Sequence, residues 1–238
     1  MMFDPLYTGI LLVTLLISGA VSALVRSRFK AGQKVQIQSG LTGAEVAQAI
    51  LADAGIYDVR IRTTQGFLSD YYNPMDRTLN LSDAVYHGRS ASSAGVAAHE
   101  VGHAIQHAQN YFPMWVRSMI VPAANLGSIL GPWIVIIGIL LMSVGRITLG
   151  QNVAIAGVVL FGMMTLFTLV TVPVEFDASS RAKKCLARLN ILAPGRERDV
   201  VAGVLFAAGL TYVAAAISSI MQLLYWALRA GLLGRRNN

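Results

Sequence analysis

The sequence predicts an α-helical integral membrane protein with about four transmembrane helices and a small α+β lobe, and three observations carry that prediction. Charged residues make up only 13% of the 238, about half the share usual in soluble domains. The apolar residues, 55% of the chain, are gathered into long blocks instead of being spread at core periodicity. Between the first two blocks lie about ninety residues of mixed polarity, enough for a small folded lobe.

The first block, 6–25, carries no charge and is as long as a helix needs to cross roughly 30 Å of hydrocarbon. Arg26, Arg28 and Lys30 follow it and nothing basic precedes it, the reverse of a cleaved signal peptide. A second span is predicted over 121–144, where Pro122 and Pro132 suggest a bend or a late start near Leu126. The third, 153–174, is uncharged. The fourth, 201–228, contains Thr211, Tyr212, Ser218, Ser219 and Gln222, which suit packing against other helices or lining a wet groove.

With the N-terminus outside, segments 26–120 and 175–200 hold fifteen of the nineteen Lys and Arg residues. The positive-inside rule then places both polar segments in the cytoplasm of a multi-pass protein of the plasma membrane, although the basic C-terminus opposes that topology. The net charge of +7 flanks apolar spans and forms no basic stripe with interleaved aromatics, which argues against nucleic acid as a partner. The single cysteine, Cys185, excludes an intrachain disulfide and a cysteine-based structural zinc site.

Within the lobe, 31–113, Thr42 and Glu45 form a capping-box pattern ahead of Val46, Ala49, Ile50 and Ala54, so a helix ending at Gly55 is expected. Short strands are expected at 57–61 and, after the turn-forming 73–76, at 78–82. A further helix should start near Ser92 or Ser93. A second polar piece, 175–200, reads as a separate helix through residue 190, ended by Pro194 and Gly195.

The chemistry lies in HEVGH at 99–103. Two histidines four residues apart share one helical face, so both imidazoles can reach one tetrahedral metal. Glu100, beside the first, can reach a water on that metal without ligating it, the arrangement of metallopeptidases. A metzincin would continue with Gly at 106 and His at 109, but Gln106 and Gln109 stand there. His107 lies about 80° around the helix from His99 and two turns away, too far for an unbent helix to bring all three together. An intramembrane site-2-type peptidase needs the motif within a span, and 83–110 is too polar.

Catalytic zinc usually has three protein ligands. Downstream of His103 the glutamates are Glu175 and Glu197. Glu175 follows the third span, and two crossings return the chain to the side of the motif, so Glu175 is the better candidate. The bland alternative is a carboxylate favoured by the dipole at a helix start.

HEVGH, preceded by NPMDRTLNLSDAVYHGRSASSAGVAA and followed across two spans by EFDASSRA, resembles the YugP-type neutral zinc metallopeptidases and, more distantly, the HtpX group of membrane gluzincins. The resemblance covers nearly the whole chain. It implies a zincin-like metallopeptidase lobe, one Zn2+ per chain on His99, His103 and Glu175, and Glu100 as general base. In HtpX-like enzymes an aspartate four residues after the liganding glutamate orients a zinc histidine; Ser179 stands there here, so that support falls to Asp177 or Ser179. The resemblance also suggests that Arg77, Thr78, Leu79, Asn80 and Leu81 form an exposed sheet edge for an extended substrate, the alternative being an ordinary core strand. Arg181, His87, Tyr86 and Tyr72 are candidates to assist zinc in stabilising the oxyanion, and the sequence does not choose among them.

The expected function is therefore that of a membrane-embedded zinc metalloendopeptidase of gluzincin type. It would hydrolyse peptide bonds of membrane-associated or unfolded polypeptides with a zinc-activated water. The alternative of a different class is a non-enzymatic scaffold or chaperone-like factor with a structural metal, against which the presence of Glu100 argues. A divalent-metal transporter should place its ligands inside the spans, and these lie beside them.

Overall fold

The computed structural model describes residues 4–233. It is mostly helical, in the order α1 (Pro5–Gln33), α2 (Gly43–Asp53), β1 (Arg60–Thr64), β2 (Tyr71–Asn73), β3 (Thr78–Ser82), α3 (Asp83–Tyr86), α4 (Ala91–Ala108), α5 (Phe112–Ser143), α6 (Ile147–Arg188) and α7 (Arg196–Arg229). Helices α1, α5, α6 and α7 are long and apolar enough to cross a membrane. The described residues divide into two compact units, one of 4–19, 116–172 and 212–233, the other of 20–115 and 173–211.

In the first unit the helices present large apolar side chains outward, among them Leu15, Leu16, Trp133, Leu140 and Val159. Such faces suit lipid and not water. Their contacts are made by small residues: a Cβ on Gly138 would lie 2.5 Å from the Ala154 nitrogen, and one on Gly157 2.7 Å from the Val135 nitrogen. Close backbone approach of this kind drives helix association where the hydrophobic effect does not. Gly138→Val is expected to lower stability by about 1–3 kcal/mol, read as a lower melting temperature in detergent micelles. Gly162→Ala, where a Cβ meets nothing within 4 Å, should leave it unchanged.

Both prolines of the second span lie inside the continuous α5, so the late start near Leu126 is corrected: the helix begins at Phe112. A proline costs a helix one backbone bond, but in apolar surroundings helix is the only way for its neighbours to satisfy theirs.

The second unit holds the lobe. The capping box at Thr42 and Glu45 is formed, and α2 buries Val46, Ala47, Ile50 and Leu51. The sheet has the order β1-β3-β2. β3 pairs in parallel with β1, from Arg60 with Thr78 to Thr64 with Ser82. It pairs antiparallel with β2 through Tyr71 with Asn80, Tyr72 with Leu79 and Asn73 with Thr78. The strand expected at 57–61 is thus shifted to Arg60–Thr64, because pairing with β3, and not local alternation, sets its limits. Tyr57 is left outside, 83% exposed.

The expected edge role of Arg77–Leu81 is also corrected. The turn at 73–77, built on an Asn73 side-chain bond to the Met75 N–H and a positive φ at Arg77, folds β2 against β3 and makes β3 the central strand. Leu79 and Leu81 are wholly buried, and Arg77 pairs with Asp58 at the surface.

The polar piece 175–200 is not a separate helix. α6 runs unbroken through Val174 and Glu175 to Arg188 and stops in a left-handed turn at Asn190, where the Ile191 N–H reaches back to the Leu186 carbonyl. Pro194 and Gly195 lie beyond that stop, and α7 begins at Arg196, before the apolar block at 201.

Candidate metal centre

The HEVGH motif lies on α4, which starts at Ala91, one residue before the expected position. Its N-cap is Ser90, whose hydroxyl accepts the Ser93 N–H. The run of small residues that follows lets other backbones come close. A Cβ on Gly102 would lie 2.6 Å from the Ala178 carbonyl oxygen, and the Ser92 hydroxyl donates to the Phe29 carbonyl at 2.8 Å. The space beside Gly102 is taken by the backbone of α6, which brings Glu175 to the histidines.

Glu175 is 2% exposed. Its Oε2 lies 3.2 Å from His99 Nε2 and 3.4 Å from His103 Nε2. Among the described residues these three form the group of His, Cys, Asp or Glu side chains able to hold a metal ion. Bonds of about 2.0–2.2 Å in a tetrahedron set neighbouring ligand atoms roughly 3.3–3.6 Å apart; the 3.4 Å separation falls in that range and the 3.2 Å one just short of it. The donor set, two imidazoles and one carboxylate, suits zinc and leaves a fourth position open. The residues present therefore fit the ion.

The other imidazole nitrogens face away and are held. Ser179 Oγ lies 3.1 Å from His99 Nδ1, and Gln106 Oε1 lies 3.0 Å from His103 Nδ1. Asp177 acts one step further back, accepting from Gln106 Nε2 at 2.8 Å and from Arg181 Nε at 2.5 Å. Arg181 also reaches Gln109 and the face of Tyr111, so its charge is spent on this network. His87 caps the end of α3 and packs its ring on Tyr86, and neither belongs to the ligand group.

Glu100 is 8% exposed, and its Oε2 accepts the backbone N–H of Tyr72 at 3.0 Å. That N–H lies on the outer edge of β2. The Tyr72 hydroxyl meets His107 Nδ1 at 2.8 Å, which accounts for His107 without a metal. Asp70, at the head of β2, accepts from the Ser82 N–H and hydroxyl and so ties β2 to the end of β3. Burial, against those bonds and helped by the charge on Glu100, raises the Asp70 carboxyl above its ordinary value. Glu197 is engaged elsewhere: its two oxygens accept the backbone N–H groups of Gln38 and Ala193.

Burial would push the His103 imidazole down, but the hydrogen bond with Glu175 and the charges of Glu100 and Glu175 raise it overall. Burial would raise Glu175, but hydrogen bonds from His103 and His99, and then their charges, hold it far below the usual carboxylate range. Glu175 thus stabilises the metal-free fold above its unfolded value of 4.5, a contribution lost as pH falls through its lowered folded value. His103 stabilises it fully below 6.5, and that contribution is lost as pH rises through its raised value. The metal-free protein should therefore be most stable between pH 4.5 and 6.5 in thermal unfolding with chelator present. Zinc, which needs unprotonated ligands, should move the optimum upward. A profile unchanged by zinc would contradict this.

Two parts of the site escaped the sequence reading. Gln106 excludes a metzincin in the sequence, and its place three residues after His103 also puts it on the face of that histidine. β2 is three residues long and too short to show periodicity.

The chain matches the family model described as "Putative neutral zinc metallopeptidase" over residues 7–231. It is 44% identical over 200 residues to "Putative membrane protease YugP" of Bacillus subtilis (strain 168), covering 84% of this chain and 85% of that protein. No solved structure matches it.

Proposed function

Because the chain belongs to the neutral zinc metallopeptidase family, we propose that it is a membrane-embedded zinc metalloendopeptidase of gluzincin type acting on membrane-associated or unfolded polypeptides. The observation that carries this reading is the convergence of both Nε2 atoms on one buried carboxylate, with Glu100 on the same helix. His99, His103 and Glu175 would hold one zinc ion. Bound there, zinc would acidify a water and polarise the scissile carbonyl.

The rest is done by the chain. Glu100 takes the proton of the attacking water and passes it to the leaving amine. Its Oε2 is steadied by the Tyr72 N–H, so the carboxylate enters the reaction already oriented. Ser179 and Gln106, behind the imidazoles, keep both rings turned toward Glu175. The outer edge of β2, and not Arg77–Leu81, is the edge on which an extended substrate would align. Tyr72, whose N–H and hydroxyl both face α4, is the oxyanion candidate nearest Glu100.

In the bilayer, 6–25, 121–144, 153–174 and 201–228 would be the spans, with the lobe of 31–113 completed by 175–200 on the cytoplasmic side of the plasma membrane. Purified protein in lipid vesicles should cleave an unfolded polypeptide, lose the activity to a zinc chelator and regain it with added zinc. Cleavage indifferent to chelation, or no cleavage by zinc-loaded protein, would overturn the reading.

A further inference from the structure

Gln106 is wholly buried on α4 and makes three polar contacts. Its Nε2 donates to the Val174 carbonyl and to Asp177 Oδ2, each at 2.8 Å, while its Oε1 faces His103 Nδ1 at 3.0 Å. A carbonyl and a carboxylate can only accept, so the amide edge that faces them must be the NH2 group. The edge left for His103 is then the oxygen, which can only receive a proton. His103 Nδ1 must carry that proton, and Nε2, the atom turned toward Glu175, is the nitrogen left to bind a cation. Ser179 cannot impose the same choice on His99, because a hydroxyl both donates and accepts.

The two acceptors of the amide also flank the third ligand. Val174 immediately precedes Glu175 and Asp177 follows it by two residues, so one side chain on α4 grips the turn of α6 that carries the carboxylate. Arg181 Nε donates to the same Asp177 oxygen at 2.5 Å, so Oδ2 joins the amide to the guanidinium.

We propose that Gln106 is the positioning residue of the metal centre: it selects the nitrogen with which His103 binds zinc and locks the Glu175 turn against α4. This rests on the reading of His99, His103 and Glu175 as zinc ligands, and the experiment separates the two. Zinc affinity is measured by chelator competition on the purified chain and three variants. Gln106→Met, of similar size and without the amide, should bind zinc about 10–100-fold more weakly. Gln106→Glu should also weaken binding, because two carboxylates then face each other at positions 106 and 177.

The amide should also leave a signature on the ring: in the zinc-loaded wild type, 15N NMR should find His103 metallated at Nε2 and protonated at Nδ1. In Gln106→Met that Nδ1 proton, left without its acceptor, should exchange faster with solvent, an effect that a purely space-filling role would not give. Gln106→Met at wild-type affinity, with Glu175→Ala losing zinc, would overturn the inference and leave the zinc site standing. A wild-type chain without affinity for zinc would overturn both. Where Gln106→Met fails to fold, the wild-type spectrum decides: His103 metallated at Nδ1, or an Nδ1 without its proton, contradicts the inference.

Discussion

Glu100→Gln is expected to leave one zinc per chain in place and to lower kcat for cleavage of an unfolded polypeptide by about 10²–10⁴-fold, the usual contribution of a general base. The change keeps the size of the side chain, and the amide oxygen can still accept the Tyr72 N–H that the carboxylate accepts at 3.0 Å. What it removes is the ability to take a proton. KM should therefore change little, since the lost interaction belongs to the transition state. A scaffold that merely carries a metal has no use for that proton transfer, so its function would survive the substitution. Cleavage at the wild-type rate by a zinc-loaded Glu100→Gln variant would remove Glu100 from the chemistry.

The second large effect is expected from Glu175→Ala. It takes away the anion on which both imidazoles converge, at 3.2 and 3.4 Å, and leaves two histidines facing a buried space. Loss of a direct ligand should exceed the 10–100-fold cost of losing a group behind one, so zinc affinity should fall by more than about 100-fold and cleavage with it. Glu197→Gln is the matched control. Both of its oxygens receive backbone N–H groups, from Gln38 and Ala193, so zinc affinity should hold. A loss confined to Glu197→Gln would mean that α7, and not α6, supplies the third ligand.

The sequence made the four apolar helices legible because each is long enough for hydropathy alone to define it. The grouping of His99, His103 and Glu175 was legible for a different reason. Helix periodicity puts His99 and His103 on one face, and the number of apolar blocks decides which later carboxylate can return to them. Contacts set by tertiary packing were not legible. Nothing local shows that α6 continues past its apolar stretch, because whether a helix stops at Glu175 or carries on depends on what its polar turns meet. Here they meet Gly102, Gln106 and the histidines.

The sheet shows the same limit. The residues of β3 alternated as a strand should, but its place in the centre follows from β2, which is too short to announce itself. Ser179 fell between: its position after Glu175 marked it as a support, and the structure puts its hydroxyl on His99 Nδ1.

The account stands on the metal, and the most direct test is the zinc content of the purified chain, measured beside Glu175→Ala and His107→Ala. The expected result is one zinc per chain in the wild type, none in Glu175→Ala and one in His107→Ala, whose imidazole is occupied by the Tyr72 hydroxyl at 2.8 Å. A wild-type chain without zinc, or a loss of zinc confined to His107→Ala, would contradict it.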